Sequence, residues 1–426
     1  MNKKYKSNNT DNFDFSTLVK PYLSDEDCDK FRQSLNDEPI SSFIVNTTIN
    51  HDFNFDDRMI VQDKDDKLLY RFNKDEERLG KSLLHFAGAF YILDPSSATI
   101  SYYLKDYLPD NFVSLDLCGA PGGKSIALSM RRNDGLYLCN DISFTRANEI
   151  TKNADRLGLN NLYSLSIDPE RINLGPIFDC LILDVPCSGS GMIRKEPKMK
   201  EDWSIEKVQR LLPIQANLLE KAYSLLKAGG ILAYSTCSLS LEEDEEQIAM
   251  FLKAHPDMSE IKVKTRDGMR EGKFGYHMVP GIFDGEGIYF CLLRKEGTSN
   301  FKFTQTKTKD SSFTFGKNKY KTPIMYDEIA KLNFLSPGRK INDSSEHPKC
   351  EFDHAYSKVC DSYPIIEVSK EQGIEYAKGN EIKCDSNVKD SLVILSYEGC
   401  RLGFGKKVGN KIKNYLPKGL RENLIA

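Results

Sequence analysis

No run of 18 apolar residues occurs in the 426-residue chain, so no transmembrane helix is expected. The N-terminus, Met1-Asn2-Lys3-Lys4-Tyr5-Lys6-Ser7-Asn8-Asn9, is basic but lacks the apolar stretch of a secretory signal. The eleven cysteines show no framework spacing, which excludes a disulfide scaffold and points to free thiols in the cytoplasm. There is no internal repeat, and the single tryptophan, Trp203, lies beside Ser204 as a residue packing at a helix entrance. Two phosphate-binding signatures are also missing. A Walker A loop needs Gly six positions before its Lys, where Lys124 has Cys118, and the dinucleotide fingerprint G-x-G-x-x-G is absent. A P-loop NTPase and a dinucleotide oxidoreductase are thereby set aside.

Charge is nearly balanced at −3 but unevenly placed. Residues 401–426 carry seven Lys or Arg and one acid, and residues 301–322 carry six lysines against Asp310. Such clusters suit a nucleic-acid partner.

Four regions are expected. Residues 1–82 form a small N-terminal region, in which Phe15, Leu18, Val19, Tyr22, Phe31 and Leu35 have helical spacing and Ser24 marks a helix start. Residues 83–296 hold an alternation of strand, glycine turn and helix, with strands at 113–118, 136–141, 162–167, 178–185 and 230–236. This is the pattern of an α/β, doubly wound parallel sheet, with residues 287–293 as a last, antiparallel strand. Residues 297–322 read as a lysine-rich linker and 323–426 as a separate module ending in two strands joined at Glu398-Gly399.

Five strand ends carry the chemistry. The first opens into Asp116-Leu117-Cys118-Gly119-Ala120-Pro121-Gly122-Gly123-Lys124-Ser125, a glycine-rich turn that lets backbone N–H groups approach an anionic ligand. Asp141 and Asp168 end the next two strands, where they suit ribose hydroxyls and an adenine amino group. The remaining two strands end in Asp184-Val185-Pro186-Cys187-Ser188-Gly189 and Tyr234-Ser235-Thr236-Cys237-Ser238. S-adenosylmethionine fits this set, and two thiols beside it suit methyl transfer to pyrimidine C5. A thiolate adds to C6, C5 becomes nucleophilic, and a carboxyl group, for which Asp184 is the candidate, serves N3. The base must leave its stack to reach such a site.

The chain resembles the Sun/Fmu family of RNA cytosine-5 methyltransferases, in its RsmF-like branch acting on bacterial 16S ribosomal RNA. The matching segments are 85–98, 116–125, 184–195 and 232–246, with 399–406 and 413–418 similar to that branch's PUA-like RNA-binding extension. The resemblance implies a Rossmann-like class I methyltransferase sheet and a C-terminal PUA-like module. It implies Cys237 as nucleophile, Cys187 in product release and Asp184 at the cytosine. Cofactor contacts are implied for Cys118, Gly119, Ala120, Pro121, Gly122, Gly123, Lys124, Asp141, Arg146, Asp168 and Asp184. Without the resemblance the two thiols are interchangeable, since DNA enzymes use a Pro-Cys thiol. The expected partner is RNA, as 16S rRNA or the small ribosomal subunit, with no membrane and no metal, and a monomer is expected. The alternatives are a tRNA cytosine-5 methyltransferase, a non-catalytic assembly factor, and, disfavoured by the Thr-Cys motif, a DNA methyltransferase.

Three further readings concern single features. Gly119, where Ala is usual, is expected to be harmless. The acidic run 242–246 reads as a helix start, where the dipole favours acidic residues. His347, Cys350, His354 and Cys360 match no standard zinc spacing.

Overall fold

Five apolar runs become the parallel centre of the main sheet because each is buried on both faces, as parallel strands are. In the computed structural model, which describes residues 13–49, 60–72, 78–306, 312–315, 318–321, 324–341, 354–358 and 360–424, their spatial order is Leu226–Thr236, Phe178–Asp184, Val113–Asp116, Leu136–Asn140, Leu162–Leu165. The chain starts at Val113–Asp116, builds outward in one direction, then returns to build in the other. The order therefore reverses between Val113–Asp116 and Phe178–Asp184, and the crevice at that reversal is where such sheets bind ligands. Strand Ile288–Lys295 adds antiparallel to Leu226–Thr236, as expected from the sequence.

Helices cover both faces. Helices Pro95–Leu104, Gly123–Arg131 and Phe144–Leu157 bury Leu104, Ile126 and Ile150 against one face. Helices Ile205–Leu225 and Glu245–Ala254 bury Leu219, Ala222, Ile248 and Phe251 against the other. Buried Asn140 ties three strand ends together. Its amide donates to the carbonyls of Leu117 (3.0 Å) and Ile167 (2.9 Å), and its oxygen accepts the Ile167 N–H.

The N-terminal region divides. Helix Asp25–Ser34 begins at Ser24, whose hydroxyl accepts the Asp27 N–H at 3.1 Å. With Ser16–Val19 it packs on Ile193, Trp203, Leu239 and Val279, beside the Cys237 loop. The rest forms an antiparallel sheet ordered Ile60–Gln62, Leu69–Phe72, Ser41–Val45, Phe90–Leu93, so it draws its last strand from beyond residue 82.

The expected linker at 297–322 is corrected by the packing. Phe301 and Phe303 rest on the second core, and Phe303 stacks on Tyr326 at 4.7 Å. Strands Ser312–Phe315, Asn318–Lys321 and Arg339–Ile341 form a small sheet, and Phe334–Ser336 pairs with Leu162–Leu165 at the edge of the main one. Every-other-residue aromatics among the lysines are the period-two signal that composition masks.

The compact C-terminal sheet starts near residue 363 instead of 323. It comprises Ile365–Glu367, Leu392–Tyr397, Cys400–Val408, Lys411–Asn414 and Ile382–Lys383. Glu398 (φ 47°) and Gly399 (φ 74°) make the expected tight turn. Ile374, Leu395 and Leu402 share one core with Phe43, Phe86 and Phe90, so this module is docked on the N-terminal sheet. Of the declined zinc ligands, His347 and Cys350 lie outside the described residues. Among the described residues no group of three His, Cys, Asp or Glu could hold a metal ion. None of the described helices is long and apolar enough to cross a membrane.

Candidate active site

The cavity of about 900 Å³ at the carboxyl edge of the sheet holds Cys118, Asp141, Ile142, Asp168, Asp184, Cys187 and Cys237 in its wall. Register explains the convergence of the two thiol motifs. Asp184 and Ser235 are paired across neighbouring parallel strands, so the loops that follow them emerge side by side. The sulfurs of Cys187 and Cys237 are 2.8 Å apart, both thiols are free, and the Cys237 N–H donates to Cys187 Sγ at 3.2 Å.

Asp184 is held from two sides. Lys124 Nζ, from the first turn of helix Gly123–Arg131, sits 2.7 Å from Oδ2, and Ser235 Oγ donates to Oδ1 at 2.8 Å. Burial works against the Lys124 charge, but the Asp184 carboxylate outweighs it and holds the ammonium above the usual lysine range. This pair bridges the point where the strand order reverses. The hydrogen bond with Cys237 and burial, helped by the Glu243 and Asp184 carboxylates, push the Cys187 thiol well above the ordinary cysteine value.

At the other end of the cavity Asp141 is 1% exposed. Its Oδ1 accepts the Ser143 N–H at 2.9 Å and its Oδ2 lies 3.2 Å from Arg146, whose other nitrogen donates to the Ala120 carbonyl at 2.9 Å. Arg146 thereby links the glycine turn to Asp141. Asp168 accepts the Glu170 N–H at 3.1 Å as the cap of a short helix while facing the cavity. Gly122 (φ +109°) turns the chain into helix Gly123–Arg131, and the space over Gly123 is open. Pro121 lies in the same turn.

S-adenosylmethionine requires a hydroxyl acceptor, an apolar surface for its adenine, room at the glycine turn and a path to the thiols. Asp141 is the buried acceptor, and Ile142, 66% exposed, is the apolar surface. Gly123 leaves the room, and one cavity runs to the cysteines. The residues fit the group.

The acidic run does lie at a helix start, with Asp244 at the cap of helix Glu245–Ala254 and Glu245 and Glu246 in its first turn, but Glu243 and Asp244 are both fully buried. Glu243 accepts from Ser188, Ser238, Ser240 and Gln215, tying both cysteine loops to helix Ile205–Leu225. Asp244 accepts the Thr236 hydroxyl at 2.5 Å, and burial pushes its carboxyl well above the usual range. Nearness to Cys237 in sequence was the one available signal. The expectation that Gly119 is harmless is corrected: it is not interchangeable with Ala, because a Cβ there would stand 2.3 Å from Cys139 Sγ and 2.7 Å from Asp116 Cγ.

Residues 105–294 match the family described as 16S rRNA methyltransferase RsmB/F, and residues 363–422 match the methyltransferase RsmF PUA domain. Ribosomal RNA small subunit methyltransferase F of Shewanella woodyi is 31% identical over 82% of this chain and 83% of its own length. The protein of that name from Aeromonas salmonicida is 28% identical over 81% and 82%. Among solved structures, a methyltransferase homologue from Pyrococcus horikoshii superposes with a TM-score of 0.54 at 23% identity, covering 66% of this chain and 94% of that one. NSun6 from the same organism, with SFG, gives 0.52 at 20% identity over 67% and 98%. With its cavity, doubly wound sheet and C-terminal PUA domain, the chain belongs to the 16S rRNA methyltransferase RsmB/F family and is an S-adenosylmethionine-dependent methyltransferase.

Proposed function

We propose that the protein methylates C5 of cytosine in 16S rRNA through an adduct between Cys237 and C6. The observation that carries this reading is the contact of two free thiols, 2.8 Å apart, beside Asp184 in a cavity that also reaches Asp141.

Cytosine C5 is too weak a nucleophile to act unaided. Addition of the Cys237 thiolate to C6 moves an electron pair into the ring and makes C5 reactive. As that charge develops N3 takes up a proton, and Asp184, held by Lys124 and Ser235, accepts the N3–H hydrogen bond that keeps it there. When bound, S-adenosylmethionine supplies the electrophilic methyl group. Loss of the C5 proton and breakage of the S–C6 bond then restore the aromatic ring. Cys187 stands beside the departing sulfur and assists release. This division of labour rests on the family's Thr-Cys and Pro-Cys motifs, which assign Cys237 to attack and Cys187 to release.

Asp141 would bind the ribose hydroxyls, Ile142 and Asp168 the adenine, and residues 118–124 the methionine end. Arg146 would hold the turn against Asp141. The N-terminal region and the PUA domain would hold RNA, with a monomeric protein working in the cytoplasm.

The test is methylation of 16S rRNA and of small subunits with labelled cofactor, followed by nucleoside analysis by mass spectrometry. Label in 5-methylcytidine is the expected outcome. Label in another nucleoside rules the reading out, and transfer to tRNA alone would move the substrate class.

A further inference from the structure

We propose that Glu243 is a positioning residue that holds the two cysteine loops in one fixed arrangement, a role that rests on the reading of both thiols as reacting groups. Its carboxylate is fully buried. Oε1 accepts the Ser188 N–H at 2.8 Å and the Gln215 amide at 3.0 Å. Oε2 accepts the hydroxyls of Ser188 (2.5 Å), Ser238 (2.6 Å) and Ser240 (3.2 Å). Ser188 follows Cys187 and Ser238 follows Cys237, so one side chain grips the residue next to each thiol. Gln215 also donates to the Pro186 carbonyl at 3.0 Å, adding helix Ile205–Leu225 to the assembly.

The chemistry calls for an acceptor-only group here. All five partners are donors, and a carboxylate is the side chain that offers two oxygens and no hydrogen. All five are also neutral, so the charge stays uncompensated by these contacts. Cys187 faces Cys237, Glu243 and Asp184, the last paired with Lys124. Glu243 therefore sets the spacing of the sulfurs.

Two variants test this role. Glu243→Ala leaves the Ser188 N–H and one of the two Gln215 amide hydrogens without an acceptor and frees both loops. Glu243→Gln retains an oxygen for those two N–H donors and turns an NH₂ toward three hydroxyls, two of which can rotate to accept. Single-turnover methyl transfer in Glu243→Ala is expected to fall about 100-fold, the cost of misplacing a reacting group by about an ångström. Calorimetric affinity for S-adenosylmethionine stays within about twofold, since Asp141 and the glycine turn are not among the partners of Glu243.

Glu243→Gln recovers to within about tenfold of wild type. The pH midpoint for Cys187 alkylation by iodoacetamide, followed by peptide mass mapping, falls as the negative charge is removed. If the Ala variant does not fold, the Gln variant alone carries the test through that midpoint. Unchanged transfer in Glu243→Ala, no recovery in Glu243→Gln, or an unmoved midpoint overturns the proposal. Alkylation needs no RNA, so its outcome is separate from the nucleoside analysis that tests cytosine as the substrate.

Discussion

Cys187 Sγ and Cys237 Sγ lie 2.8 Å apart across 50 residues of sequence. The pairing of Asp184 with Ser235 on adjacent strands brings them together, and the two loops then cross the same end of the cavity. Their roles are separable by trapping. Cys237→Ala is expected to lose methyl transfer and form no adduct while still binding S-adenosylmethionine. Cys187→Ala is expected to accumulate a protein–RNA adduct that migrates slowly on denaturing gels. An adduct in the first variant and none in the second would exchange the roles.

Gly119 is locked in place by Cys139 and Asp116 within the glycine-rich turn. Gly119→Ala is expected to destabilise the protein by about 1–3 kcal/mol through overpacking. Urea unfolding of Gly119→Ala, Cys139→Ala and the double variant measures the coupling. A double variant less destabilised than the sum of the singles confirms the contact. Simple additivity would show that the turn relieves the clash elsewhere.

Asp116 makes stability depend on pH in a defined direction. Burial foremost raises its carboxyl to about 7, against the opposing hydrogen bond from Ser125 at 2.8 Å. The folded protein keeps a proton that the unfolded chain releases above its ordinary value. Stability from this group is therefore lost as pH rises from about 4 through about 7, by on the order of 4 kcal/mol at most. Asp116→Asn removes that slope, so its stability relative to wild type is expected to be greater at about pH 8 than at about pH 5 in urea unfolding. A constant difference between the two conditions would place the titration elsewhere.

Lys406 and Lys413 are opposite each other in the C-terminal hairpin, with Lys411 exposed two residues away on the same face. Lys407 points inward and donates to the Gly409 carbonyl at 2.6 Å. Neutralising Lys406, Lys411 and Lys413 is expected to weaken RNA binding and reduce the log–log salt slope by about 0.7 per lost contact. Lys407→Ala is expected to leave the slope alone and lower the melting temperature. A slope unmoved by the triple change would make this face a solvated surface.

Much of this architecture was legible because its signals are short-range. Buried parallel strands announce themselves as apolar runs such as Phe178–Asp184. Glycine turns mark where they stop, and the Glu398-Gly399 turn is readable from two residues. Both thiol motifs were placed at strand ends on the same grounds. Glu243 was not legible, since one carboxylate in an acidic run looks solvated until two loops and a helix close over it. The same holds for Lys407, for Gly119 against Cys139, and for Phe301 and Phe303 among their lysines. The chain alone determined its strands, turns and reactive groups, because period and turn chemistry act over a few residues. Only the tertiary structure decided which distant groups meet, because burial and hydrogen-bond partnership depend on how separate segments pack.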